Sequence, residues 1–196
     1  MSSALAQLID QGRLWRGHVP RTVHTLPTGH AALDAVLPGG GWPRGALSEV
    51  VHAAPGSGEL RLVLPLLARL TQQGRPVALV APPLLPYAPG WAQAGVDLSR
   101  LIVIEAPAPQ ALDTTCQLLQ AGAAAVCLWV VRLNEIDTRR LTLAAETAQA
   151  FALWMRHTAA HGAPSTAALR LRVDGNGAAV LKVRGGRPHA RCLLAA

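Results

Sequence analysis

The 196-residue sequence predicts an α/β fold: a mainly parallel sheet flanked by helices, with antiparallel hairpins on one edge. Three observations predict it. Short, wholly apolar runs such as Pro76-Val-Ala-Leu-Val-Ala81 alternate with segments of helical period, the pattern of strands buried on both faces. Composition is 51% apolar and 15% charged, which supports a packed core and excludes wholesale disorder. After Pro164 the pattern changes to alternating segments, and Asp174-Gly-Asn-Gly177 and Gly185-Gly-Arg-Pro188 read as hairpin turns.

Residues 5–14 can form a short amphipathic helix, but Gly12, Gly17, Pro20 and Pro27 interrupt the chain beyond it, so 1–26 reads as an N-terminal arm. Residues 27–196 form one domain, with an α/β core over 27–160 and hairpins over 161–196. Thr28 caps a helix over 29–36 that stops at the Pro38-Gly-Gly-Gly41 turn. Ala46–His52 is a strand, Ala53–Gly58 a small-residue loop, and Glu59–Gln73 a helix carried by Leu60, Leu64, Leu67 and Leu70, with Pro65 in its first turns. The strand 76–81 leads through Pro82, Pro83, Pro86 and Pro89 to a brief helix near Gly90–Ala94. Leu101–Ile104 is a strand, Gln110–Ala121 a helix and Ala125–Val131 a strand; Asn134 or Asp137 then caps a longer helix running to about His157. Ala168–Val173, Ala178–Arg184 and Ala190–Leu194 are the terminal strands.

Several classes of function are disfavoured. Cys116, Cys127 and Cys192 stand far apart, which suits reduced thiols and not a disulfide frame or a zinc knuckle. His157 and His161 share a helical spacing, but no Glu follows His157, so no metal is expected. The apolar stretch Ala121–Val131 is about half of a bilayer span, and the N-terminus lacks the pattern of a signal peptide, so the expected location is cytoplasmic.

Charge is informative. The net charge is +7, of which +6 falls in the last 41 residues, where seven basic residues face the single acid Asp174. A basic C-terminal part is the footprint of an anionic partner, most often nucleic acid; the alternative is a solvated Arg-rich surface. Candidate phosphate contacts are Arg139, Arg140, Arg170, Arg172, Lys182, Arg184, Arg187 and Arg191, with the 170/172 and 182/184 pairs each projecting from one face of a strand. Leu14, Trp15 and Arg16, in an arm with little core, read as a partner anchor or as Trp15 folding back on its own domain.

The strand 46–52, loop 53–58 and helix from 59 have the architecture of a phosphate-binding loop, which needs Gly-x-x-x-x-Gly-Lys-Ser/Thr. Here the frame begins at Ala53, keeps Gly56 and Gly58, and continues Glu59-Leu60. A carboxylate replaces the lysine and Leu60 offers no metal ligand. The only lysine in the chain, Lys182, is on a terminal strand. The loop is therefore read as vestigial, and neither a nucleotide cofactor nor catalysis is expected. Trp129 and Val130 stand where such an NTPase places its Mg²⁺-binding aspartate; Trp129 reads as core packing or, less readily, as a partner anchor.

With these segments in order, the sequence resembles a RecA-type core. The stretches 27–34 and 38–49, then Gly74-Arg-Pro-Val-Ala-Leu-Val80, Ala94-Gly-Val-Asp-Leu98 and Gln110-Ala-Leu112, carry that resemblance. Leu14-Trp-Arg-Gly17, Pro38-Gly-Gly-Gly-Trp-Pro-Arg-Gly45, Leu141-Thr-Leu-Ala-Ala-Glu146, the stretch 163–171 and Leu181-Lys-Val-Arg-Gly-Gly186 resemble the ImuA family within it. The resemblance implies a RecA-like fold and a non-catalytic accessory role in damage-induced (SOS) translesion synthesis. The implied partners are an ImuB-type Y-family homologue and an error-prone DnaE-type polymerase, with RecA and self-association left open; the basic residues add weak, sequence-independent DNA binding at the nucleoid as an expectation. At ATP-handling positions the chain departs from RecA: Glu59 and Leu60 in the loop, Pro83 at the catalytic glutamate, and Val130 or Trp129 at the Walker B aspartate. The runner-up is a SulA-like inhibitor of FtsZ, which Val77–Pro83 and Trp91–Val96 also resemble.

Overall fold

The structure is a computed structural model that describes residues 24–157, 165–175, 177–186, 188 and 190–194. Leu14, Trp15, Arg16, His161 and Arg187 lie outside these residues. Strands β1 (Thr25–Leu26) and β2 (Trp42–Pro43) form a small antiparallel pair, which brings the end of the segment read as an arm onto the domain. Between them lies helix α1 (Ala31–Asp34), and beyond β2 come β3 (Ala46–His52) and α2 (Glu59–Gln72). Next come β4 (Val77–Val80), α3 (Ala88–Gln93), β5 (Leu101–Ile104), α4 (Ala108–Gln120), β6 (Ala125–Trp129) and α5 (Glu135–Ala148). The chain closes with β7 (Phe151–His157), β8 (Leu169–Asp174), β9 (Gly177–Val183) and β10 (Arg191–Leu193). The main sheet has the order β10-β9-β8-β3-β7-β6-β4-β5. From β8 to β5 every pairing is parallel, and β9 and β10 add antiparallel strands at the β8 edge.

The inner parallel strands β3, β4, β6 and β7 are buried on both faces, so their residues feed two cores in alternation. Val50, Leu79, Phe151, Leu153 and Leu171 pack under α2, whose Leu62, Leu66 and Leu67 are fully buried. Leu47, Val80, Leu128 and Trp154 point the other way, under Leu112 and Leu119 of α4 and Leu141 of α5. Trp42 caps the first core against Phe151, ring centroids 5.2 Å apart.

Two expectations change. The helix expected to reach His157 ends at Ala148, where Gln149 turns the chain at φ +50°, and Phe151–His157 is the central strand β7. Its run Phe-Ala-Leu-Trp-Met is apolar without interruption, a pattern that periodicity cannot separate from a buried helix. The position is decided by long-range pairing: β7 bonds β3 on one side and β6 on the other. The helix expected over 29–36 contracts to Ala31–Asp34, with His30 as N-cap and no side-chain cap. Thr28 instead braces the entry turn, its Oγ1 accepting from the His30 N–H at 3.0 Å while its own N–H donates to Asp34 at 2.9 Å.

Pro65 lies inside α2 and has no N–H for the carbonyl of Arg61, four residues back. The His30 ring reaches in to replace it, Nε2 donating to that carbonyl at 3.1 Å. Gly29, at φ +85°, is the residue that permits the approach: a Cβ there would stand 2.4 Å from the Pro65 Cβ.

Candidate functional site

The loop between β3 and α2 has the course of a phosphate loop. Gly58 takes φ +101° at the N-cap, and a Cβ there would meet the Gly175 carbonyl at 2.8 Å, so the β8–β9 turn leaves room only for glycine. Three of the loop's N–H donors and the Ser57 hydroxyl are spent internally. Glu59, 3% exposed, curls back so that Oε1 accepts the Gly56 N–H at 2.8 Å. Ser57 Oγ accepts the Ala54 N–H at 3.0 Å and donates to the Ala54 carbonyl, which also receives the Ser57 N–H at 3.2 Å. Thus a carboxylate occupies the concavity in which a phosphate loop would hold its anion. Glu59 Oε2 is buried and has no hydrogen-bond partner among the described residues. An open cavity of about 490 Å³ borders the loop, lined also by Leu60, Arg61 and Gly175. Leu60 packs against the first core, as does the half-buried Trp129 at the end of β6. Val130 is buried and its carbonyl accepts the Trp154 indole N–H at 2.9 Å. Pro83 is exposed in the loop after β4. Among the described residues no group of three His, Cys, Asp or Glu is arranged to hold a metal.

The candidate phosphate contacts divide. On β8, Leu169, Leu171 and Val173 enter the first core, so Arg170 and Arg172 face the other way. Register places Arg170 opposite Lys182, and Arg172 opposite Ala179, which in turn lies opposite Arg191. A bulge between Arg170 and Leu171 absorbs Leu181 and keeps these residues on one face. Sequence spacing alone linked 170 with 172 and 182 with 184; the arrival of Arg191 beside them depends on the β9–β10 pairing. Lys182, Arg184 and Arg191 are exposed and Arg172 is half-buried. Burial first, then the charges of Arg170 and Arg184, hold the Lys182 ammonium below the ordinary lysine value, and its Nζ donates to the Ser165 carbonyl at 2.7 Å.

Arg170 is drawn inward. Its Nε donates to Glu49 Oε2 at 2.8 Å, while Arg156 Nη1 donates to Oε1 of the same carboxylate at 2.7 Å. The Arg156 and Glu49 side chains are buried, and the Arg156 guanidinium lies 4.5 Å over the Trp154 ring. Sequence reading missed Glu49, the one acid on a buried strand; a buried acid there signals a strand-to-strand ion pair. Arg139 and Arg140 sit on α5, not on the strands, and pair with Glu135 at 2.5 Å and Asp113 at 2.7 Å.

The sequence profile of the MT3502 N-terminal domain matches residues 35–161. The chain belongs to that family. The matched segment of this MT3502 N-terminal domain runs from the end of α1 to just past β7, so β8–β10 and the basic face lie beyond it. Protein RecA of Acholeplasma laidlawii is 36% identical over 105 residues, 52% of this chain and 31% of that protein. RecA of Symbiobacterium thermophilum is 38% identical over 104 residues, 52% and 29% of the two chains, and RecA of Streptomyces ambofaciens 35% over 133 residues, 63% and 34%. The chain spans about a third of the length of the curated relatives it matches. This homology, with the order and direction of the sheet strands, makes the core RecA-like. The crystal structure of SulA from Pseudomonas aeruginosa overlays with a TM-score of 0.47 at 28% identity, over 56% of this chain and 97% of that one. None of the described helices is long and apolar enough to cross a membrane.

Proposed function

We propose that this protein is a non-catalytic RecA-like accessory factor of damage-induced translesion DNA synthesis, of the ImuA type. It acts with an ImuB-type Y-family homologue and an error-prone DnaE-type polymerase, and it touches DNA weakly and without sequence preference. The observation that carries the reading is the closed phosphate loop: a RecA-like strand, turn and helix whose Gly56 donor is taken by the chain's own Glu59 carboxylate. With no lysine at the loop and no carboxylate at the end of β6, the scaffold serves as a binding module and not as a motor. The basic face of β8–β10 supports the DNA contact through phosphate neutralisation, since no Phe, Trp or Tyr stands beyond Trp154 to stack on bases.

Calorimetry with ATP and Mg²⁺ is expected to give no heat of binding, and co-purification is expected to recover the ImuB-type homologue. Micromolar ATP affinity would refute the non-catalytic reading. Stoichiometric inhibition of FtsZ polymerisation, without ImuB binding, would replace it with division control.

A further inference from the structure

The terminal strands are anchored on one face by the first core, which takes Leu169, Leu171, Val173, Ala178 and Val180. The end of the sheet that carries the β8–β9 turn is also held by the start of α2. A Cβ at Gly58 would stand 2.8 Å from the Gly175 carbonyl and 3.2 Å from Val173 Cγ1, so the loop backbone lies directly against that turn. Arg61 Nη2 donates to the carbonyl of Leu194, just past β10, at 3.2 Å. Gly175 lines the same open cavity as residues 56–61. The loop and the first turn of α2 therefore touch both the β8–β9 turn and the end of β10.

Packing does little to fix the shape of this loop. Gly56 turns at φ +83° in open space, where a Cβ would meet nothing within 4 Å. Hydrogen bonds fix it instead. Ser57 ties to Ala54 within the loop, whereas Glu59 Oε1, accepting the Gly56 N–H at 2.8 Å, ties the loop to α2. Glu59 is 3% exposed, so water competes little for that bond. The same burial leaves Oε2 with no hydrogen-bond partner among the described residues, a desolvation cost that calls for a reason.

Position along the hairpin decides which cations depend on the loop. Arg172 lies three residues before Gly175, in register with Ala179 and through it with Arg191. Lys182 and Arg184 lie at the opposite end, where the Arg184 N–H donates to the Ala168 carbonyl at 2.8 Å.

We infer that Glu59 is a positioning residue for the basic face. Its bond to Gly56 sets the loop, and the loop seats the β8–β9 turn so that Arg172 and Arg191 meet a nucleic-acid backbone together. The inference rests on the DNA contact proposed above and names the part of the chain that sets its geometry.

The test measures single-stranded DNA affinity of the full chain by fluorescence anisotropy at fixed low salt. Glu59→Ala and Glu59→Gln remove the same charge, but only Gln keeps an acceptor for the Gly56 N–H. Glu59→Ala is expected to bind about fivefold more weakly than Glu59→Gln, the effect of one ordinary hydrogen bond. The difference between the two variants is expected to shrink in an Arg172→Gln background and to persist in an Arg184→Gln background. Hydrogen exchange supplies a readout without DNA: amides of the β8–β9 turn are expected to exchange faster in Glu59→Ala than in Glu59→Gln, and those of β4 and β6 at the same rate. Equal DNA affinities of the two variants, or a difference that Arg172→Gln leaves intact, overturns the inference and leaves the accessory reading standing. Unchanged exchange at the turn, or faster exchange throughout the sheet, also overturns it. No DNA binding by the parent removes the DNA contact itself and, with it, this role for Glu59.

Discussion

The carbonyl of Arg61 depends on a side chain 31 residues away in sequence, because Pro65 cannot supply the usual backbone donor. Replacing His30 with Ala removes that hydrogen bond from a partly buried site, at a cost of about 0.5–1.5 kcal/mol. In a Pro65→Ala background the N–H is restored, so the same His30→Ala change is expected to cost clearly less. A double-mutant cycle from urea unfolding checks this; equal costs in both backgrounds would show that the His30 bond carries no weight. Glu59 is the other residue whose role is visible only in space. Its position in the motif identified it as out of place for a nucleotide, but not that it would fold back to use the Gly56 donor.

At the level of elements, β3, β7 and β8 are joined by more than backbone hydrogen bonds. The Glu49 carboxylate, between Arg156 and Arg170, is the counter-charge for both guanidinium groups. Glu49→Gln would leave two cations against a neutral amide, and removal of one member of a buried ionic cluster costs about 3–5 kcal/mol. Cys127 gives a convenient readout. Burial pushes its thiol up to about 12, so it is inert in the folded chain. Alkylation at pH 8 is expected to label it far faster in the Glu49→Gln variant, and an unchanged rate would show that the cluster contributes little. These three strands also mark where sequence reading succeeds and fails. Strands β4, β5 and β6 were legible as apolar runs bounded by glycine or proline, and β3 as a mixed run closed by a small-residue loop. β7 was not, because α5 ends at Gln149 in a left-handed turn without the glycine that usually announces it. Likewise the alternation of β8 and β9 showed two basic faces, but not that Glu49 on another strand would claim Arg170.

For the molecule as a whole, charge is concentrated on one end of the sheet. With Arg170 held by Glu49, the cations left near one another among the described residues are Arg172, Lys182, Arg184 and Arg191. If these four neutralise about four phosphates, log K for single-stranded DNA should fall with log salt at a slope near −3. Arg184→Gln should flatten the slope by about 0.7, whereas Arg170→Gln should lower stability and leave the slope alone. Lys182 adds a pH dependence. Its value lies below the usual 10.5, and a bound phosphate raises it again, so binding takes up a proton in that window. Affinity is then expected to fall as pH rises toward 10.5, and Lys182→Arg to remove the fall. The sign for stability is opposite: the folded chain releases this proton before the unfolded chain does, so the Lys182 contribution to stability rises with pH over the same window. An identical salt slope in the Arg184→Gln protein would mean that the face is only solvated.

The place of β3 also governs how the polypeptide must be made. This first strand of the main sheet is flanked by β7 and β8, and Val50 waits for Met155 and Leu171. At about 5–20 residues per second, a ribosome needs on the order of 5–20 s to supply the nearer partner. Throughout that interval an apolar strand has both edges open, the state most exposed to misassociation. A nascent chain halted before residue 151 has α2, β4 and β6 in hand yet lacks the strand that joins them to β3, so it belongs to the clientele of chaperones.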